Sequence, residues 1–269
     1  MSEYTLSQIS IYPVKSLQGI NLNESEVEER GFKYDRRWML IDDENMFITQ
    51  RSFPEMVFIQ LRMENDRLFF SHRRKNIEPI SISLFEMPRE EIQVQVWDDN
   101  CTAMKYGQEI NGWFSKAMGF ECKLVYMPHF SERKTSTKYY TESKSVSFAD
   151  GYPYLLIGEE SLKNLNKKLH NPVAMDRFRP NIVFHGGEPH AEDNWKEIYI
   201  GEVGFTIVKP CSRCIITTVD PETGKKGKEP LLTLHTYRNF GNKILFGQNT
   251  IAHNNGCIKV GDRIKIRPV

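Results

Sequence analysis

At 269 residues, the chain can bury a sizeable hydrophobic core in one or two compact units. Its 36 lysines and arginines balance 35 aspartates and glutamates, and the net charge of +1 excludes a global field that would attract nucleic acid or an anionic membrane. No apolar run approaches the ~20 residues that span a bilayer, and five cysteines without a secretory pattern predict a soluble, cytoplasmic protein with free or metal-bound thiols.

The first half of the chain is rich in predicted strands. Residues 6–20 alternate between apolar and polar side chains until Pro13, which removes a ladder donor and predicts a bend that puts Lys15 and Ser16 on a loop. Further strand-like segments follow at short intervals up to Trp97, a spacing that favours antiparallel sheet closing towards a barrel or sandwich. One amphipathic helix is predicted within residues 111–120, ended by Gly119.

Arg36 and Arg37 are adjacent in a segment that we predict to be extended, so their side chains would leave opposite faces. An inward arginine keeps its charge and needs an anion or carboxylate partner, whereas an outward arginine is simply solvated. Residue types alone leave both interpretations open. They also leave open whether Lys15 is an ordinary surface lysine.

The polar residues 131–147 predict a mobile connection between two units, which we place at residues 1–125 and 126–269. The second unit has further predicted strands and two predicted helices, at residues 159–169 and after Pro230. Arg179 precedes a proline, which predicts an extended backbone at that residue. An ion pair with Asp176 would be an ordinary structural role for Arg179.

A Cys-x-x-Cys motif, Cys211 to Cys214, ends a predicted strand, and the β-branched residues 215–219 predict that strand structure continues beyond it. A structural zinc site would need a second Cys or His pair, which the sequence lacks. A thioredoxin-type redox pair would need a helix after the cysteines. A single thiolate ligand to a metal carried by a cofactor is the third possibility, and the spacing does not choose it.

Five separated blocks resemble the MOSC family, the molybdenum cofactor sulfurase C-terminal domain. They also resemble, more closely, the amidoxime-reducing proteins, in which an N-terminal β-barrel region precedes the MOSC domain. The blocks are Pro13-Val14-Lys15-Ser16-Leu17, Asp35-Arg36-Arg37-Trp38, Phe178-Arg179-Pro180-Asn181-Ile182, Cys211-Ser212-Arg213-Cys214 with Thr217 to Gly224, and Gly256 to Asp262. They cover nearly the whole chain in the family's order.

The resemblance implies a mainly β (α+β) fold with a few helices: an antiparallel β-barrel MOSC domain plus an N-terminal β-barrel-like region. It also implies a molybdenum cofactor, Mo-molybdopterin, with Cys214 as the metal ligand and catalytic residue, while Cys211 is not the ligand. The residues that it places around the pterin and its phosphate are Lys15, Ser16, Arg36, Asp150, Gly151, Tyr152, Arg179, Asn181, Ser212 and Arg213. Convergent arginines suit a phosphate because their forked donors match its oxygens.

The implied activity is reduction of N-hydroxylated substrates, namely amidoximes, hydroxylamines and N-oxides. The electrons would come from a separate donor such as a ferredoxin, a cytochrome b5-like protein or a flavoprotein reductase. We expect no iron-sulfur cluster, because the plant-type cysteine run is absent from the sequence, and no pyridoxal phosphate. The alternative is a carrier that holds molybdenum cofactor or its sulfur without reductase activity. It would use the same residues.

Overall fold

The computed structural model describes residues 3–267. In that range the strands are β1 (Tyr4–Ile11), β2 (Ile20–Leu22), β3 (Glu24–Glu28), β4 (Gly31–Phe32), β5 (Trp38–Ile41), β6 (Ile59–Glu64), β7 (Arg67–His72), β8 (Ile80–Ser83), β9 (Glu90–Val96), β10 (Asp99–Lys105), β11 (Lys123–Tyr126), β12 (Tyr154–Gly158), β13 (Ile182–His185), β14 (Glu197–Ile200), β15 (Val203–Ser212), β16 (Asn239–Phe240), β17 (Lys243–Ala252), β18 (Gly256–Lys259) and β19 (Arg263–Ile266). The α-helices are α1 (Gln108–Met118), α2 (Glu159–Asn166) and α3 (Leu231–Tyr237), and short 3-10 helices lie at Pro54–Phe58, Met175–Phe178, Ala191–Asn194 and Ile215–Thr218.

Seven strands of the described chain form a closed barrel. Its order is β12-β13-β1-β19-β14-β15-β17, and β17 pairs with β12 to close the ring. Neighbouring strands are antiparallel except β12 and β13, which are parallel. Helix α2 lies in the connection between that pair, because parallel neighbours need a crossover. The prediction of a mainly β fold with an antiparallel barrel is confirmed.

Strand β1 ties the beginning of the chain to the barrel. It pairs with β13 and β19, so a strand from residues 1–125 completes a barrel made otherwise of later residues. Strand β1 buries Leu6, Ile9 and Ile11 in the barrel core with Phe184 and Phe205. Ile9 and Ile11 follow the period of two expected for one face of a strand, and the shift in pairing with β13 between Leu6 and Gln8 brings Leu6 to the same core.

Two smaller sheets and helix α1 make up most of the first half. The sheets have the orders β5-β11-β10-β9 and β6-β7-β8, and they enclose a core that includes Trp38 and Phe70. Helix α1 buries Trp113, Phe114, Ala117 and Met118, the side chains whose helical spacing predicted it. Gly119 ends the helix with φ of 83°, a left-handed conformation that glycine adopts without strain.

The segment predicted as a mobile connection, residues 131–147, is held by its own hydrogen bonds. Arg133 is buried and donates from Nη1 to the carbonyl oxygens of Ser147 and Ala149, at 2.5 and 2.9 Å. Its Nη2 donates to the Asp99 carboxylate at 2.8 Å. Since Asp99 begins β10 and Ala149 directly precedes Asp150, Arg133 fastens the loop before β12 to the first half of the chain. Within residues 3–267, no helix is long and apolar enough to cross a membrane.

Candidate functional site around Cys214

One end of the barrel collects the segments that carry the predicted site residues. Lys15 and Ser16 follow β1, residues 150–152 precede β12, Arg179 and Asn181 precede β13, and Ser212 ends β15. The register puts Ile9 opposite Ile182 and Pro210 opposite Gln248, so the ends of these strands share one rim. The side chains that line a single pocket there include Lys15, Ser16, Arg36, Asp150, Gly151, Tyr152, Arg179, Asn181, Ser212, Arg213 and Cys214. The structure therefore brings together every residue that the resemblance assigned.

Lys15 is a buried cation on this pocket wall rather than a surface lysine. Its Nζ donates to the Phe148 carbonyl oxygen at 2.7 Å and to the Asp150 carboxylate at 2.5 Å. Desolvation lowers the pKa of Lys15, and Asp150 offsets part of that effect. Desolvation also raises the pKa of Asp150, but Lys15 and Arg51 outweigh it and hold this pKa below its usual range. The carboxylate is therefore ionised at neutral pH and accepts hydrogen bonds.

Two arginines lie within cation–π distance of the Tyr12 ring. The guanidinium carbons of Arg36 and Arg179 lie 4.5 and 4.2 Å from its centroid. Arg36 also pairs with the buried Asp35 carboxylate at 2.6 Å and donates to the Asn181 side-chain oxygen at 2.9 Å. Among the described residues, no carboxylate lies within 4.0 Å of the Arg179 guanidinium, so the suggested pair with Asp176 is not formed. Desolvation lowers the pKa of Arg179 to about 10.

Three of the residues that line this pocket have a strained backbone. Ser16, Arg36 and Arg179 have φ of 66°, 49° and 54°, a left-handed region that side chains other than glycine rarely adopt. The extended conformations predicted for Arg36 and Arg179 are therefore wrong. Arg36 N–H donates to the Tyr12 carbonyl oxygen, and Arg179 N–H closes the 3-10 helix by donating to the main-chain carbonyl oxygen of Asp176. Strained residues that cluster in one pocket are typical of functional sites.

The strand predicted beyond Cys214 is also wrong. Cys214 precedes the 3-10 helix Ile215–Thr218, and β15 has already ended at Ser212. The hydroxyls of Thr217 and Thr218 donate to the carbonyl oxygens of Cys214 and Ile215, at 3.0 and 2.8 Å. These local bonds offer the backbone an alternative to the sheet and outweigh the strand preference of β-branched residues.

The two cysteines of the motif have different neighbours, Arg213 for Cys211 and Arg51 for Cys214. Arg213 Nη1 donates to Cys211 Sγ at 3.0 Å and its Nη2 donates to the Phe178 carbonyl oxygen at 2.6 Å. Its Nε is buried without a hydrogen-bond partner among the described residues. Cys211 and Cys214 are both free thiols that line the pocket. Cys211 thus accepts a hydrogen bond from Arg213, whereas Cys214 accepts none from Arg213.

Arg51 and Trp97 belong to this site and were missed by sequence reasoning. Arg51 lines the pocket, and its Nη2 lies 3.5 Å from Cys214 Sγ and 3.3 Å from an Asp150 carboxylate oxygen. Trp97 Nε1 donates to the other Asp150 oxygen at 3.2 Å. Nothing local marks either residue, because their partners lie far along the chain.

The donor set fits a phosphate-bearing cofactor with a soft metal. Arg179 lacks an acidic partner, Arg213 Nε is an orphaned buried donor, and several further donors converge on the same space. Buried cations of this kind are stabilised by an anion with several oxygen acceptors. Cys214 supplies the one thiol on this wall that Arg213 does not contact, and thiolates prefer soft metals.

Comparison with known proteins assigns the family. The family model described as the MOSC N-terminal beta barrel domain matches residues 3–121, and the MOSC domain model matches residues 143–265. The chain is 35% identical to mitochondrial amidoxime-reducing component 1 of Mus musculus, over 97% of this chain and 81% of that protein. The Homo sapiens protein of the same name is 34% identical, over 97% and 82%.

A molybdenum cofactor sulfurase of Oryza sativa subsp. japonica is 34% identical over 92% of this chain, which spans only 32% of that longer protein. The names of these relatives support a function related to the molybdenum cofactor. With both domain models matched and relatives above 30% identity along nearly its whole length, the chain belongs to the MOSC family.

Proposed function

We propose that the protein is an oxidoreductase that holds molybdenum cofactor and reduces N-hydroxylated compounds such as amidoximes, hydroxylamines and N-oxides. The observation that carries the proposal is the convergence of two free thiols, several cationic side chains and three strained backbone positions on a single pocket. The amidoxime-reducing relatives, similar over most of their own length, support the reductase class.

In this proposal Cys214 is the protein ligand of the metal and the catalytic residue. Lys15, Arg36, Arg179 and Arg213 would neutralise the cofactor's phosphate, and Arg213 Nε, which has no hydrogen-bond partner among residues 3–267, would donate to it. Ser16, Asn181, Ser212 and the loop at residues 150–152 orient the pterin by hydrogen bonds. When bound, the cofactor supplies the two-electron chemistry by which an N–O bond is reduced and oxygen leaves as water.

The charged side chains around Asp150 determine its protonation state. Asp150 is ionised at neutral pH, because Lys15 and Arg51 hold its pKa below the usual range despite desolvation. It therefore orients Lys15 and Arg51 instead of donating a proton. Lys15 keeps three N–H donors, of which Phe148 and Asp150 take two, so its ammonium can donate one more hydrogen bond into the pocket.

Electrons would reach the site from a separate protein of the ferredoxin, cytochrome b5-like or flavoprotein class. We propose a reducing, cytoplasmic setting, in which the chain's five cysteines would remain thiols. We propose no iron-sulfur cluster and no pyridoxal phosphate for this chain.

A carrier or binding protein for molybdenum cofactor or its sulfur is the second candidate. It is favoured by the similarity to the rice molybdenum cofactor sulfurase, which extends over 92% of this chain. The pocket alone does not separate it from the reductase, because both functions need the same cofactor contacts.

One preparation separates the two functions. The protein would be purified from cells that synthesise molybdenum cofactor, its molybdenum content per chain measured, and benzamidoxime reduction assayed with an artificial electron donor. Bound molybdenum with turnover is the result expected for the reductase. Bound molybdenum without turnover would favour the carrier, and a preparation without molybdenum would contradict both.

A further inference from the structure

Trp97 occupies a backbone position that normally excludes a tryptophan. It begins the two-residue turn between β9 and β10 with φ of 57°. Such hairpin turns favour Gly, Asn or Asp, since these residues tolerate the left-handed region. The neighbouring hairpin of β6 and β7 follows this rule with Asn65 and Asp66, whose φ values are 48° and 60°. A bulky side chain kept at a strained turn position needs another reason for its presence.

The indole of Trp97 contacts two pocket residues. The guanidinium carbon of Arg51 lies 4.4 Å from its ring centroid, within the range of cation–π attraction. Its Nε1 donates to the Asp150 carboxylate at 3.2 Å. The side chain remains 39% exposed, so burial in the core does not explain its position.

Arg51 carries these contacts to the sulfur of Cys214. Its Nη2 is shared between the Asp150 carboxylate at 3.3 Å and Cys214 Sγ at 3.5 Å. Its main-chain carbonyl oxygen accepts a hydrogen bond from Lys226 Nζ at 2.7 Å. The Arg51 side chain is therefore held between an aromatic face, a carboxylate and a thiol.

We propose that Trp97 is a positioning residue, which holds Arg51 against the sulfur of Cys214 and Asp150 against Lys15. The role rests on the proposed function, in which Cys214 is the metal ligand. Side chains that hydrogen-bond a metal ligand fix its orientation and alter its electron donation, and their loss weakens metal binding or activity. Trp97 would exert this effect through Arg51, without touching the substrate.

The first test compares Trp97→Gly with Trp97→Phe and the wild type, all purified from cofactor-competent cells. Glycine relieves the left-handed strain, so the melting temperature should stay the same or rise. Molybdenum per chain or kcat for benzamidoxime should nevertheless fall about tenfold, with KM changed less than about twofold. Trp97→Phe should restore part of the loss, because its ring can still cover Arg51.

A Trp97→Gly protein with wild-type molybdenum content and wild-type kcat would overturn the proposal. If Trp97→Gly fails to fold, Arg51→Gln tests the proposal instead, because this substitution leaves the turn at Trp97 intact. The same loss of molybdenum or kcat is expected for Arg51→Gln, and wild-type values for both would again overturn the proposal.

A second test needs no cofactor and so separates this inference from the proposed function. Trp38, Trp113 and Trp195 are at most 6% exposed, so acrylamide quenching of tryptophan emission reports mainly on Trp97. Quenching in cofactor-free protein should increase in Arg51→Gln, because the guanidinium no longer covers the indole. Unchanged quenching would overturn the positioning role, whereas a wild-type preparation without molybdenum would count against the proposed function alone.

Discussion

The Lys15 ammonium and the Asp150 carboxylate lie 2.5 Å apart, although 135 residues separate them in the chain. The pair joins the loop after β1 to the segment before β12, and Lys15 is buried while Asp150 reaches solvent. A buried cation that loses its partner is destabilising, because its desolvation is no longer compensated. The pocket wall thus depends on contacts between the N-terminal segment and the middle of the chain.

We expect Asp150→Asn to lower the free energy of unfolding by about 2 kcal/mol, since it leaves Lys15 with a weaker acceptor. Urea denaturation would measure the change. Glu160→Gln is the matched control, because it removes an exposed ion pair with Lys163 at 2.6 Å and should cost less than about 0.5 kcal/mol. Equal effects of the two substitutions would contradict the buried character of Lys15.

The cysteine motif should respond asymmetrically to substitution. Cys214→Ser should keep the melting temperature of the wild type and abolish benzamidoxime reduction, because the proposed metal ligand is lost. Cys211→Ser should keep bound molybdenum, because a hydroxyl can still accept the hydrogen bond from Arg213. Elemental analysis and activity assays check both variants. A fully active Cys214→Ser protein would refute the ligand assignment.

Tyr12 should matter for its ring more than for its hydroxyl. Tyr12→Phe keeps the ring beside Arg36 and Arg179 and loses the hydrogen bond to the Pro180 carbonyl oxygen, at a cost of about 1 kcal/mol. Tyr12→Leu also loses both cation–π contacts, so the repulsion between the two guanidiniums is no longer offset by an aromatic ring. It should therefore be less stable than Tyr12→Phe and hold less molybdenum. Denaturation curves and metal analysis would show whether the order is reversed.

The acid stability of the protein should depend partly on His190, which lies outside the pocket. Desolvation lowers the pKa of His190 from 6.5 to about 4, with further repulsion from Arg238 and Lys168 and partial compensation by Asp193. Between these pH values the unfolded chain binds more protons at this residue, so its contribution to stability is complete above pH 6.5 and is lost as the pH falls towards 4.

His190→Asn tests this dependence, because asparagine tolerates the φ of 63° at this position and does not titrate. The fall in melting temperature from about pH 7 to about pH 4 should be smaller in His190→Asn than in the wild type. Parallel curves for the two proteins would show that His190 does not contribute.

The spacing of apolar residues along the sequence predicted strands and helices correctly where one face of the element is buried. Alternation predicted β1, and the spacing of Trp113, Phe114, Ala117 and Met118 predicted α1 up to Gly119. The run after Cys214 misled the prediction, because threonine side chains satisfy local carbonyl groups there and form a 3-10 helix. The candidate site residues came from the resemblance, since no single block identified them.

By itself, the sequence determined the strand-rich composition, the order of the family's motif blocks and the thiol proposed as a ligand. Only the tertiary structure decided that Arg36 and Arg179 adopt left-handed backbones and that Arg51, 163 residues away in sequence, reaches Cys214. The reason is physical. Periodic burial acts between near neighbours in the chain, whereas these strained and charged contacts exist only once the barrel has closed and brought its loops to one rim.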